Sequence, residues 1–306
     1  MRPSSFFVLR SAFCVLLTLP LLADAFQSAD GVTLHYERIG KGKRPIVLLP
    51  GGPGFSSEYM RPIAQRLSKK HSFVLFDQRG TGKSKLGMYD AETLDHKKFV
   101  ADLEALRREL KLEKLTLVGH SWGGILSMLY ASAHPDRVHA LALIDSGGPT
   151  LASVPGFTAT HTARMTAEDI AKVREWSAPE KLAADRRRAI FEITKARTPP
   201  YFHDRAKAQE FMDALTIDSF NGDVFWPVVG QLNATFDLRA ALKNVRAPVL
   251  VIHGKSDPLQ SAQEVHEAFA GSRLELIENA GHFPWMEQPE IFYRALDGFL
   301  RKVVQR

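Results

Sequence analysis

Gly119-His120-Ser121-Trp122-Gly123 sets a serine between two glycines, directly after the apolar run 115–118 and before a helix-like stretch that begins near Ile125. A turn this tight between strand and helix strains the backbone. Flanking glycines remove side chains that would collide there, and the serine hydroxyl is left exposed at the end of a sheet. A hydroxyl is a poor nucleophile until a base takes its proton and an acid orients that base. His282, in Asn279-Ala280-Gly281-His282-Phe283-Pro284, is the candidate base, and Asp257, in Gly254-Lys255-Ser256-Asp257-Pro258, the candidate acid. Each follows a short apolar run that reads as a strand, so each falls on a loop at a strand's carboxyl end. The chain order Ser, Asp, His suits a G-x-S-x-G turn. Asp145 also follows a strand-like run and is the rival acid, whereas His120 reads as packing for the turn. An acyl-transfer reaction also needs donors for the developing oxyanion; the backbone N–H groups of Trp122 and of Gly52, in Gly51-Gly52-Pro53-Gly54, are the candidates.

Other chemistries lack the residues they require. Asp77-Gln78-Arg79-Gly80-Thr81-Gly82-Lys83-Ser84 ends like a phosphate-binding loop, but that pattern needs glycine where Asp77 stands. Asp77 and Arg79 read instead as braces for neighbouring loops. No H-E-x-x-H or comparable ligand cluster occurs, so neither a metal nor a cofactor is expected. The 306 residues carry a formal charge of +6, with the basic residues scattered and no aromatic platform between them, which argues against nucleic acid as a partner.

These groups need a sheet to carry them. Runs at 32–38, 45–49, 72–76, 115–118, 138–144, 248–253 and 274–277 read as strands, with helical spacing near 58–69, 94–110, 125–134, 262–270 and 289–303. Strand and helix alternate as in βαβ units, so the predicted class is α/β, with a mostly parallel sheet covered on both faces. The alternation stops after Ile144 and resumes near Pro248. The division expected is residues 26–145 and 240–306 as one core, and residues 146–239 as a helical cap over the strand ends. Residues 1–25 read as a secretory leader, with Arg2 and Arg10 before an apolar run and Ala23-Asp24-Ala25 as the cleavage site. The only cysteine, Cys14, lies within it. The expectation is a secreted or periplasmic protein, without stable membrane association once the leader is removed.

The chain resembles α/β hydrolases, and over about residues 45–140 it resembles the proline iminopeptidases. Those enzymes carry a Gly-Gly-Pro-Gly loop, an Asp-Gln-Arg-Gly-x-Gly-x-Ser segment and a Gly-x-Ser-Trp-Gly turn, matched here by residues 51–54, 77–84 and 119–123. The resemblance implies a serine peptidase that releases an N-terminal residue, preferably proline, through an acyl-serine intermediate. Three features depart from it. Pro50 replaces the histidine usual before the glycines. The cap lacks a Trp-x-x-Trp-Glu segment, which leaves Glu175, Glu180, Glu192 and Glu210 as possible carboxylates for the substrate's amino group. Gly281-His282-Phe283-Pro284-Trp285 is closer to esterase-like members. A carboxylesterase acting on small acyl esters through the same triad is the alternative, and a non-catalytic ligand-binding relative is a third reading.

Overall fold

The computed structural model describes residues 24–304. Eight strands, β1 (Asp24–Gln27), β2 (Thr33–Ile39), β3 (Ile46–Leu49), β4 (Phe73–Asp77), β5 (Leu115–His120), β6 (Val138–Ile144), β7 (Val249–Gly254) and β8 (Arg273–Ile277), form one sheet. Their order is β1-β2-β4-β3-β5-β6-β7-β8. The first two strands pair antiparallel, and all the pairings from β4 to β8 are parallel. Central strands of a parallel sheet are covered on both sides, and β3, β5 and β7 are buried at every residue.

Side chains alternate across the sheet, so β3 sends Val47 and Leu49 to one core and Ile46 and Leu48 to the other. The first core is closed by α2 (His96–Glu109), through Phe99, Leu103 and Leu106, and by α3 (Trp122–Ala133). The second is closed by α1 (Arg61–Leu67) and by α13 (Pro289–Val304), which buries Phe292, Leu296 and Leu300 at helical spacing. Asp95 caps α2 by accepting from Lys97 N–H at 2.7 Å, and Arg107 and Arg108 in the last turn complement its dipole.

Between β6 and the neck that leads back to the sheet lie α4 (Val154–Ala163), α5 (Ala167–Trp176), α6 (Pro179–Ala184), α7 (Arg186–Ala196), α8 (Arg205–Ala214) and α9 (Gly222–Val229). The short helices α10 (Arg239–Leu242), α11 (Ala262–Ala268) and α12 (Pro284–Glu287) complete the set. The excursion leaves and re-enters at one neck, where Thr150 pairs with Asp237 and Leu238 N–H donates to Pro149 O at 2.9 Å. None of the helices among the described residues is long and apolar enough to cross a membrane.

The Asp77–Ser84 segment braces its surroundings. Asp77 accepts from Ser57 N–H and Oγ and from Lys83 N–H. Arg79 is fully buried and grips Asp102 through Nε and Nη2, both at 2.6 Å, and Asp30 through Nη1 and Nη2. Strand β1 was not foreseen: Phe26 packs on Tyr36 and Phe76, although its tetrapeptide falls where the leader pattern ends. Residues 1–23, with Cys14 and most of the expected leader, lie outside the described residues.

Candidate active site

Ser121 stands between β5 and α3 with φ 54° and ψ −117°, a left-handed backbone that a non-glycine residue rarely holds. Two glycines make this turn possible. A Cβ on Gly123 would lie 2.0 Å from Leu49 O, and one on Gly51 would lie 2.8 Å from Ser121 Cβ. Glycine therefore lets the helix start press against β3 and lets the Gly51–Gly54 loop approach the serine.

Asp257 and His282 follow β7 and β8, and His282 Nδ1 lies 2.7 Å from Asp257 Oδ2. The other carboxylate oxygen, Oδ1, accepts from Leu259 N–H at 2.9 Å. Both residues are buried. Burial alone would raise the Asp257 pKa, but the charge and hydrogen bond of His282 outweigh it and hold this carboxyl below its usual range. Asp145, at the end of β6, is shifted the opposite way, well above the usual range, by burial and by the negative charge of Asp257. Its Oδ1 accepts from Gly254 N–H at 2.8 Å, while its Oδ2 and the Nδ1 of His253 are buried without partners. Because His253 Nε2 donates to Leu259 O, a neutral His253 offers only an acceptor on that side. His253 Nδ1 lies 3.8 Å from Asp145 Oδ1, beyond hydrogen-bond reach, so the group that acts on Asp145 is the buried Asp257. The two carboxyls are thus shifted in opposite directions, Asp257 toward the ionised form against His282 and Asp145 toward the neutral form.

Asp145, Asp257 and His282 each bring one nitrogen or oxygen within 4.8 Å of the others, the set a cation would need. Within this set Asp257 and His282 make a direct 2.7 Å hydrogen bond to one another.

The Gly51–Gly54 loop is tied to the serine turn on two sides. Gln78 donates to Pro50 O and accepts from Trp122 Nε1, both at 2.8 Å. On the other side Tyr59 Oη accepts from Gly51 N–H at 2.6 Å and lies 2.7 Å from His120 Nδ1. Gly51 N–H is occupied by Tyr59, whereas the N–H groups of Gly52 and Trp122, like those of Gly54 and Gly123, make no hydrogen bond among the described residues. His120 Nε2 lies 2.8 Å from the carbonyl of His282, and the two rings are 4.6 Å apart. This contact brings the Ser121 turn and the His282 loop together, although no hydrogen bond closes between Ser121 Oγ and His282 among the described residues. Such bonds often tighten only when substrate is bound. The contacts of Gln78 with Pro50 and of Tyr59 with His120 carried no signal in the sequence, since these partners lie 28 and 61 residues away.

Two seams hold the cap over these loops. Ser56 N–H donates to Ser219 O, and Asn221 N–H donates to Gly54 O. At the His282 loop, His282 N–H donates to Tyr201 O at 2.8 Å, and Glu287 accepts from both Gly281 N–H and Asp204 N–H. Aromatic rings line both seams: Tyr201 lies 5.0 Å from His282, and Phe220 lies 4.8 Å from Phe55. Of two open surface clefts, one of about 360 Å³ beside His35 and Arg61 reaches the Ser56–Ser219 seam, and one of about 510 Å³ lies beside Lys114 and Arg246.

The α/β hydrolase fold family model matches residues 44–289, most of the chain. The protein is an α/β hydrolase. Relatives of this α/β hydrolase include the proline iminopeptidase of Lactobacillus acidophilus, 27% identical, covering 88% of this chain and 95% of that one. The proline iminopeptidase of Saccharolobus solfataricus is also 27% identical, covering 92% and 93%. Among solved structures, the esterase EaEST from Exiguobacterium antarcticum superposes with a TM-score of 0.70 at 25% identity, covering 92% of this chain and all of that one. The α/β hydrolase therefore has relatives named both as peptidases and as esterases.

Proposed function

We propose that this α/β hydrolase is a serine hydrolase in which Ser121 Oγ attacks an acyl carbon while His282 Nε2 takes its proton. Asp257 holds the opposite tautomer through Nδ1 and stabilises the imidazolium that forms. Gly52 and Trp122 N–H donate to the oxyanion. Collapse of the tetrahedral intermediate expels the leaving group, which takes the proton from His282, and leaves an acyl-Ser121 ester. Water, deprotonated by His282, then attacks the ester, releases the acid and restores the serine. The observation that carries this reading is the 2.7 Å Asp257–His282 pair, locked by its carbonyl contact to the residue before Ser121.

For the substrate, we favour a small ester with a neutral, apolar acyl group. An aminopeptidase must pair a buried ammonium with a carboxylate. Of the four candidates, Glu175 and Glu180 are exposed on the cap, Glu192 is paired with Arg188 at 2.6 Å, and Glu210 with Lys207 at 2.8 Å. The seams around the site are aromatic instead. The second reading, release of an N-terminal residue such as proline, draws on the two 27% identical relatives and the shared motifs. Comparing kcat/KM for short p-nitrophenyl esters with that for prolyl-arylamide separates them. Faster ester cleavage supports the first reading; efficient arylamide cleavage with weak ester turnover overturns it.

Export is also part of the proposal, on the pattern of residues 1–25. Cleavage after Ala25 would cut β1 and leave Phe26 and Gln27 paired with Leu34 and Thr33. N-terminal sequencing of exported protein should begin at Phe26; a chain retaining Cys14 would contradict it.

A further inference from the structure

His120 carries two hydrogen bonds whose directions are forced. The carbonyl of His282 only accepts, so His120 Nε2, 2.8 Å away, holds the proton. A neutral ring then leaves Nδ1 as an acceptor, and the Tyr59 hydroxyl, 2.7 Å away, donates to it. The same hydroxyl oxygen accepts from Gly51 N–H at 2.6 Å. His120 is buried, and burial together with the charge on His282 drives its pKa well below the ordinary histidine value, so the ring stays neutral. One directed chain therefore runs from the backbone beside Gly52, across the serine turn, to the backbone of His282.

The two ends of that chain are the two places where charge appears during the proposed reaction: the oxyanion at Gly52 N–H and the proton on His282. We infer that Tyr59 and His120 are positioning residues that keep the oxyanion loop and the general base in register, an inference that rests on the serine-hydrolase reading. Hydrogen bonds in series polarise one another where water is excluded, and misplacement on the scale of an ångström lowers rates steeply. Packing alone does not explain the hydroxyl. The Tyr59 ring is already seated against Phe283 and Trp285, contacts a phenylalanine would keep. The hydroxyl serves only Gly51 and His120.

The test uses Tyr59→Phe, His120→Gln and the double variant with p-nitrophenyl butyrate, counting active sites with a fluorophosphonate. Each single change should lower kcat per site about tenfold and leave KM within about twofold. The double variant should lose little more than the worse single, because a chain cut twice is no more broken than one cut once. A Tyr59→Phe enzyme within twofold of wild-type kcat, a loss carried by KM or by melting temperature alone, or multiplied losses in the double variant would each overturn the inference. If His120→Gln does not fold, the kcat and KM of Tyr59→Phe decide alone. Wild-type protein that hydrolyses ester but takes no label on Ser121 defeats the serine-hydrolase reading itself. Label on Ser121 with an unaffected Tyr59→Phe defeats only the positioning role.

Discussion

Asp257→Asn changes a single atom, and its effect follows from the partners of the carboxylate. Oδ1 accepts from Leu259 N–H at 2.9 Å, and Oδ2 faces His282 Nδ1 at 2.7 Å. An amide in this place keeps its oxygen on the Leu259 N–H, which has no other acceptor, and turns its NH2 toward His282. Nδ1 must then accept, so the ring proton moves to Nε2, the atom that has to receive the proton of Ser121. Wrong tautomer and lost imidazolium stabilisation together correspond to a fall of about 10³- to 10⁴-fold in kcat, or about 4 to 5.5 kcal/mol at 1.36 kcal/mol per decade. The control is Asp145→Asn. An amide resembles the neutral form toward which Asp145 is shifted and keeps an oxygen for Gly254 N–H. Its kcat should stay within about threefold of wild type, since no interaction made only in the transition state is removed. Both variants are assayed with p-nitrophenyl butyrate, with melting curves as the check on folding. Folded Asp257→Asn keeping more than a tenth of wild-type kcat, or Asp145→Asn falling a thousandfold, would refute the assignment of the acid.

Asp145 also implies a pH dependence of stability. Its pKa is raised in the folded chain, so the folded state binds more protons than the unfolded one above the ordinary carboxylate range, and stability is lost as pH rises. Asp145→Asn should therefore raise the melting temperature more at pH 8 than at pH 5, and equal shifts at both would contradict a neutral Asp145. Arg79→Ala strips the cation from the buried Asp102 and the exposed Asp30. Breaking a buried pair costs about 3–5 kcal/mol, and calorimetry should show the melting point lowered by about 10 °C. Gly123→Ala drives a methyl into Leu49 O, and the backbone shift it demands should cut kcat by at least about a hundredfold; near wild-type turnover would mean that the turn has room to spare.

The sheet was readable because its central strands are uninterrupted apolar runs, such as Ile46–Leu49 and Val249–Gly254, set between amphipathic helices. Ser121, Asp257 and His282 were readable because each sits where a strand ends. Asp257 was placed ahead of Asp145 as the acid although both end strands; the 2.7 Å contact with His282 and the opposite pKa shifts of the two carboxyls support that order. Tyr59, Gln78 and Glu287 act through partners distant in sequence, joined only once the loops converge. The cap seams at Ser219–Asn221 and Tyr201–Asp204 are mostly backbone contacts, which leave no trace in side-chain pattern. The edge strand Asp24–Gln27 was hidden because small and apolar residues at that point also fit a leader's end.

The account stands on Ser121 as the nucleophile. Incubating the purified protein with a fluorophosphonate and mapping the adduct by peptide mass spectrometry tests this directly. One phosphonyl group on Ser121, loss of ester hydrolysis in step with labelling, and no labelling of Ser121→Ala are the results it predicts. Hydrolysis that persists in the fully labelled protein, or in Ser121→Ala, would contradict it.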